Sequence, residues 1–191
     1  MNLSIQNCIT ALQAEFVGYA TPATIDAIAI DSRSLQNTAT TLFFALVGPN
    51  NDAHFYIKDL ISKGVQHFVV THIPEDCQGK ANFLVVNNTL VALQQLASYY
   101  RSSVNFPIVG ITGSNGKTIV KEWLYQLIQD RQVVKNPKSY NSQTGVALSI
   151  WQIKEGDKLG IFEAGISQPN EMEELCLAVS KENEKNCSRI N

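Results

Sequence analysis

The chain has 191 residues, 45% of them hydrophobic and 17% charged, with a formal net charge of −2. That is the make-up of an ordinary globular protein with enough apolar material for one large domain or two small ones. A pI near 5.9 excludes nucleic-acid binding by bulk electrostatics, so a phosphate would have to be held by a local site.

The first residues, MNLSIQNCITALQAEF, have neither a basic n-region nor a long apolar run. No window of the sequence reaches the ~18 apolar residues that cross a bilayer. Cys8, Cys77, Cys176 and Cys187 are widely spread, without a CxxC pair. Free thiols in a reducing compartment, and a cytoplasmic protein, are the expectation.

Short apolar runs at Ile28–Ile30 and Leu42–Leu46 predict the first strands. Asp31, Ser32 and Arg33 follow the earlier run. An arginine and a hydroxyl after a strand suit an anionic ligand, while an Asx turn with a surface arginine fits the same spacing and is the commoner outcome. Phe55 to Lys63 carries a helical pattern, and His67–Val70 and Phe83–Val86 read as strands. A second helix is predicted over Leu90 to Tyr100, with Leu90, Leu93, Ala97 and Tyr100 on one face. His54, His67 and His72 show no metal-ligand spacing, and His67, at the head of an apolar strand, reads as structural. The polar stretch RSSVNF (101–106) ends before a proline and predicts a boundary, giving domains 1–103 and 104–191.

The second domain opens with the apolar pair Ile108-Val109 and the turn ITGSNGKT. The general phosphate-loop pattern wants glycine where Ile111 stands, so it fails. The variant T-G-x-x-G-K-T fits, on Thr112, Gly113, Gly116, Lys117 and Thr118, with Ser114 and Asn115 between the glycines. Val120, Trp123, Leu124, Leu127 and Ile128 then recur at helical spacing, predicting an amphipathic helix over Lys117–Gln129. Strand, glycine loop and helix N-terminus make a phosphate cradle: amides without partners in the first turn, and the helix dipole, favour an anion. Lys117 reaches a terminal phosphate and the Thr118 hydroxyl serves a magnesium ion. A nucleoside triphosphate is the expected ligand.

Val133-Val134 predicts the next strand and Gly145–Gln152 the next helix. The loop between them, KNPKSYNSQTG, offers Lys138, Asn141, Ser142 and Thr144, which suit ligand contacts and equally suit turns and a helix N-cap. Leu159–Phe162 predicts a strand with Glu163 at its carboxyl end, where ligands of open α/β sheets collect. A carboxylate there can hold magnesium or simply meet solvent, and spacing leaves the two even. A helix over Asn170–Ala178 follows. The polar tail SKENEKNCSRIN comes where such a sheet should add a strand, so the chain reads as cut short. Alternating strands and helices give an α/β class: a small α/β N-terminal domain followed by a truncated mononucleotide-binding domain. An incomplete sheet leaves an apolar edge and predicts self-association. No Ser-His-Asp or Cys-His arrangement is present.

Several motifs together resemble the Mur ligase family, ATP-dependent amide-forming enzymes of peptidoglycan precursor synthesis, over nearly all of residues 25–178. In the first domain these are D-S-R (Asp31–Arg33), T-L-F-F-A-L-V-G (Thr41–Gly48), D-A-H-F (Asp52–Phe55) and G-V-Q-H-F-V-V from Gly64. They resemble the family's uridine-nucleotide-binding domain. In the second, G-I-T-G-S-N-G-K-T is similar to the family's own phosphate loop. Lys121-Glu122, the segment NSQTGVAL (Asn141–Leu148), and E-A-G-I-S from Glu163 with Glu171 and Leu175 beyond it resemble the branch that adds D-alanyl-D-alanine to UDP-N-acetylmuramoyl-tripeptide. The chain departs from the pattern at Ala53, Ile119, Ser142 and Ala147. The family's carbamylated lysine, adenine contacts and C-terminal domain are expected beyond residue 178.

The resemblance implies that Lys117 and the amides of Gly113–Thr118 hold the ATP phosphates and that Thr118 and Glu163 serve Mg2+. It places Ser32, Arg33 and Asn141 at the muramoyl substrate. It further implies a fragment without turnover of its own, from a parent that is monomeric unless fused to a dimeric racemase. Three alternatives stay open: a module that binds the UDP compound without chemistry, a Mur ligase of another branch, and an unrelated phosphate-loop NTPase.

Overall fold

The computed structural model describes residues 3–19, 22–33, 35, 37–128, 132–137, 140 and 142–165. The predicted helix over Asn170–Ala178, together with Lys138, Asn141, Glu171, Leu175, Cys176, Cys187 and the polar tail, lies outside them. The chain divides into two compact units, Met1–Leu96 and Ala97–Asn191.

The first unit contains β1 (Leu3–Ser4), α1 (Ile5–Leu12), β2 (Glu15–Val17), β3 (Thr24–Ile25), β4 (Ala27–Ala29), β5 (Thr41–Phe44), β6 (Val47–Gly48), β7 (Asn51–Asp52), α2 (Ile57–Ser62), β8 (His67–Val70) and β9 (Asn82–Val85). Helix α3 (Thr89–Ser102) leads out of it. Five strands form one sheet in the order β2-β9-β8-β5-β4, with β2 antiparallel to β9 and the rest parallel. Because both faces of its central strands are covered, they read as unbroken apolar runs. Phe43, Phe68 and Phe83 stand at one register position on three neighbouring strands. Their rings meet at 6.1 and 5.6 Å, and Ile57 and Leu60 of α2 pack in the same cluster.

Helix α1 has no counterpart in the predicted elements. Ser4 caps it by accepting from the Asn7 amide at 3.1 Å, and Ile5, Cys8 and Leu12 bury one face. The helix predicted from Phe55 starts instead as a 3-10 turn, Ala53–Tyr56, because Asp52 draws that turn tight. The Asp52 carboxylate accepts from the His54 amide at 2.9 Å and meets His54 Nδ1 at 2.6 Å. His54 Nε2 accepts from the Thr71 amide at 3.0 Å. An amide can only donate, so the bond places the ring proton on Nδ1 and makes His54 a buried tie between the turn and the end of β8. His67 is buried as well, and burial lowers its pKa.

The second unit holds β10 (Ile108–Ile111), α4 (Lys117–Leu127), β11 (Val133–Lys135), α5 (Gln143–Ile150) and β12 (Leu159–Glu163). The three strands are parallel in the order β10-β12-β11, so the last strand in the chain sits in the middle. The end of α3 belongs to this unit: the Tyr100 hydroxyl donates to the Ile153 carbonyl at 2.7 Å, and its ring packs on Trp151. Glycine is required at 160, where a Cβ would meet Ile108 at 2.9 Å across the sheet.

Much of the apolar stripe of α4 faces outward. Val120, Trp123 and Leu127 are exposed, with Trp123 at 64%, while Lys121 of the same helix is fully buried. Val109 on β10 is also exposed. An apolar helix face beside an apolar strand is a surface that seeks cover. Light scattering on the purified chain is therefore expected to give a mass that rises with concentration, and Trp123→Glu to bring it down. A monodisperse monomer at high concentration would refute this.

Candidate phosphate-binding site

The site is assembled at the carboxyl ends of β10 and β12. Ile111, the last residue of β10, is in register with Glu163, the last of β12. The loop that leaves β10 and the carboxylate that ends β12 therefore start side by side.

Thr112 to Gly116 form an exposed loop between β10 and α4. Gly113 and Gly116 have φ of +145° and +78°, a region that side-chain-bearing residues avoid. A Cβ at Gly116 would meet nothing within 4 Å, and one at Gly113 only a carbonyl at 4.0 Å. These glycines answer to backbone geometry, not to crowding. Gly116 is the N-cap of α4 and supplies no side-chain cap, unlike Ser4 on α1 and Ser142 on α5. The amides of the first turn of α4 are thus available to an anion. Lys117 folds back over the loop, and Nζ donates to the carbonyls of Gly113 at 2.7 Å and Ser114 at 3.4 Å. The ammonium thus stands beside the loop backbone.

Thr118 and Glu163 are 45 residues apart and in contact. The hydroxyl lies 3.0 and 2.9 Å from the two carboxylate oxygens, and Glu163 is only 1% exposed. Lys121, one turn after Thr118, brings Nζ to 3.4 Å from Glu163 Oε2 and 3.2 Å from the Asn136 carbonyl. Asn136 follows β11 and is fully buried. Its Oδ1 accepts from the Glu163 amide at 2.9 Å, and its Nδ2 donates to the carbonyls of Glu163 at 2.9 Å and Tyr140 at 2.6 Å. The side chain extends the hydrogen bonding of the sheet one step past the end of β11. Neither the burial of Lys121 nor this use of Asn136 is anticipated by sequence reasoning. The available signal for Asn136 was its position just after a parallel strand.

The donor set fits magnesium with a nucleotide. A hydroxyl and one carboxylate are hard oxygen ligands, and Mg2+ is commonly held by one or two carboxylates together with substrate phosphates. Among the described residues no cluster of three or more His, Cys, Asp or Glu could hold a metal alone.

The remaining candidate residues are placed elsewhere. Ser32 and Arg33 lie in the first unit, after β4. Arg33 forms a two-point pair with Asp31, Nε to Oδ1 at 2.9 Å and Nη2 to Oδ2 at 2.7 Å, on an exposed surface. These hydrogen bonds hold the Asp31 carboxyl down at about 2. Arg33 is thus a preformed, solvent-facing fork that a diphosphate would have to share with Asp31. Asn141 is outside the described residues. Its neighbour Ser142 takes the N-cap role, accepting from the Gly145 amide at 3.1 Å.

An open parallel sheet, a glycine loop leading into an uncapped helix, and a Thr–carboxylate pair at the adjacent strand end have the form of a phosphate-loop α/β unit. Residues 111–180 match the profile of the Mur ligase middle domain. The chain is 32% identical over 158 residues to a UDP-N-acetylmuramoyl-tripeptide--D-alanyl-D-alanine ligase of Buchnera aphidicola subsp. Baizongia pistaciae, covering 81% of this chain and 34% of that protein. In fold it resembles the crystal structure of MurF from Acinetobacter baumannii, with a TM-score of 0.86 at 24% identity over 95% of this chain and 40% of that one. MurF ligase from Thermotoga maritima in complex with ADP is similar at a TM-score of 0.71 and 26% identity, over 81% of this chain and 35% of that one. The second unit is thus similar to the middle domain of Mur ligases, and the chain spans about a third of the length of the curated relatives it matches.

Proposed function

We propose that the chain carries the substrate- and phosphate-binding parts of a ligase that adds D-alanyl-D-alanine to UDP-N-acetylmuramoyl-tripeptide at the expense of ATP. The observation that supports this most is the Thr118–Glu163 pair at the mouth of an uncapped glycine loop. The names of the relatives supply the substrates, and the ADP complex of one of them supplies the nucleotide class. In this reading residues 1–103 bind the UDP compound, with Ser32, Arg33 and Asn141 among the contacts, and residues 104–191 are part of the ATP domain.

The chemistry asks little of the protein beyond position and charge. An oxygen of the tripeptide carboxylate attacks the γ-phosphorus of ATP, the bond to the bridging oxygen breaks, and ADP leaves. The amine of D-alanyl-D-alanine then attacks the acyl carbon, loses a proton and displaces inorganic phosphate. Lys117 and the amides of Gly113–Thr118 hold the β- and γ-phosphates. Thr118 and Glu163 would hold a magnesium ion, which would supply charge neutralisation. A cytoplasmic location belongs to the same reading, since Cys8 and Cys77 are free, buried thiols that suit a reducing compartment.

The test is calorimetric titration of the chain with UDP-N-acetylmuramoyl-tripeptide and, separately, with MgADP. Both are expected to bind, and Lys117→Ala to weaken MgADP by ~100-fold while leaving the UDP compound unaffected, the loss of a charge-assisted phosphate contact. A folded chain that binds MgADP but not the UDP compound would leave only a phosphate-loop protein.

A further inference from the structure

We propose that Lys121 is a positioning residue of the phosphate site: its buried ammonium pins the Glu163 carboxylate where a divalent cation bound to nucleotide needs it. This rests on the reading of that site as one for a magnesium–nucleotide complex.

Lysine is among the residues least suited to burial, yet Lys121 is fully enclosed. An aliphatic residue at this position of α4 would fill the same space without a charge to desolvate. The place of that charge is specific. Nζ is 3.4 Å from Glu163 Oε2 and 3.2 Å from the Asn136 carbonyl, with the half-exposed Glu122 carboxylate farther off at 3.8 Å. Three residues of one helix face thus act in sequence: Lys117 covers the loop, Thr118 meets the Glu163 carboxylate, and Lys121 meets the same carboxylate one turn later. Glu163 is held by a hydroxyl and an ammonium, and Asn136 locks the backbone to which it is attached. A carboxylate held on both sides in this way loses little on taking up a cation, the general benefit of support behind a ligand. Lys121 touches no reacting atom in this scheme; it acts through Glu163.

The experiment compares ADP affinity with Mg2+ and with EDTA for the wild-type chain, Lys121→Met and Lys121→Arg, with folding followed by circular dichroism. Wild type is expected to bind ADP more tightly with Mg2+. In Lys121→Met the Mg2+ advantage should shrink by about tenfold, the usual scale for removing support behind a metal ligand. Metal-free ADP affinity should stay unchanged, and Lys121→Arg should keep part of the advantage. A folded Lys121→Met with the wild-type Mg2+ advantage overturns the proposal. So does an equal loss in Lys121→Arg and Lys121→Met, which would assign the effect to packing. If Lys121→Met does not fold, Lys121→Gln, which can still donate to the Asn136 carbonyl, is judged by the same criteria. Failure of the wild-type chain itself to bind ADP in a Mg2+-dependent way would sink the phosphate-site reading, and this role with it.

Discussion

Glu163→Ala is expected to destabilise the second unit by about 3–5 kcal/mol, the cost of stranding a buried charge. Lys121 is fully enclosed, and its ammonium has the Glu163 carboxylate at 3.4 Å. Truncating that carboxylate removes one partner of the ammonium, whose others include the Asn136 carbonyl and the more distant Glu122, itself paired with Lys135. Both tryptophans, Trp123 and Trp151, lie in the second unit, so urea denaturation followed by their fluorescence reads this unit alone. Removing both charges is a different perturbation. The double variant Glu163→Leu/Lys121→Met is expected to recover most of the loss, because a matched apolar pair needs no desolvation. A loss below about 1 kcal/mol in Glu163→Ala, the range of exposed ion pairs, would mean that the pair does not act as a buried one.

Asn136→Ala should cost roughly 3 kcal/mol in the same assay, since each buried backbone group left without a partner costs about 1–3 kcal/mol. The groups concerned are the amide and carbonyl of Glu163 and the carbonyl of Tyr140, at 2.9, 2.9 and 2.6 Å. Hydrogen exchange gives an independent reading: the Glu163 amide should lose protection well beyond its neighbours. Asn136→Asp keeps an acceptor for that amide and turns a carboxylate toward two carbonyls, so it should recover little. Because Asn136, Glu163 and Lys121 share one network, the losses from Asn136→Ala and Glu163→Ala should fall short of adding. Full additivity would show that the two residues act separately.

The glycine loop was legible in the sequence because its geometry lies in consecutive residues. Glycine at 113 and 116 is needed for dihedrals that are local, and Lys117 and Thr118 follow within the same turn. The strands over His67–Val70 and Leu159–Glu163 were legible for a related reason: both are apolar runs buried on two faces. Glu163 is an intermediate case. Its place at a strand end could be read directly, but its contact with Thr118 depends on β12 lying beside β10, and the chain order would equally allow β11 there.

Sequence alone therefore determined an α/β protein with a glycine loop leading into a helix, since backbone dihedrals and apolar runs are set by near neighbours along the chain. Tertiary structure alone decided which strand lies in the middle of the second sheet, that Asn136 ties its ends together, and that His54 holds the 3-10 turn to β8. It also decided which face of α4 turns inward. Periodicity shows that Val120, Trp123 and Leu127 share a stripe, but not what the stripe meets. In the fold Lys121 lies inward beside the buried Glu163 carboxylate, while Val120, Trp123 and Leu127 stay exposed.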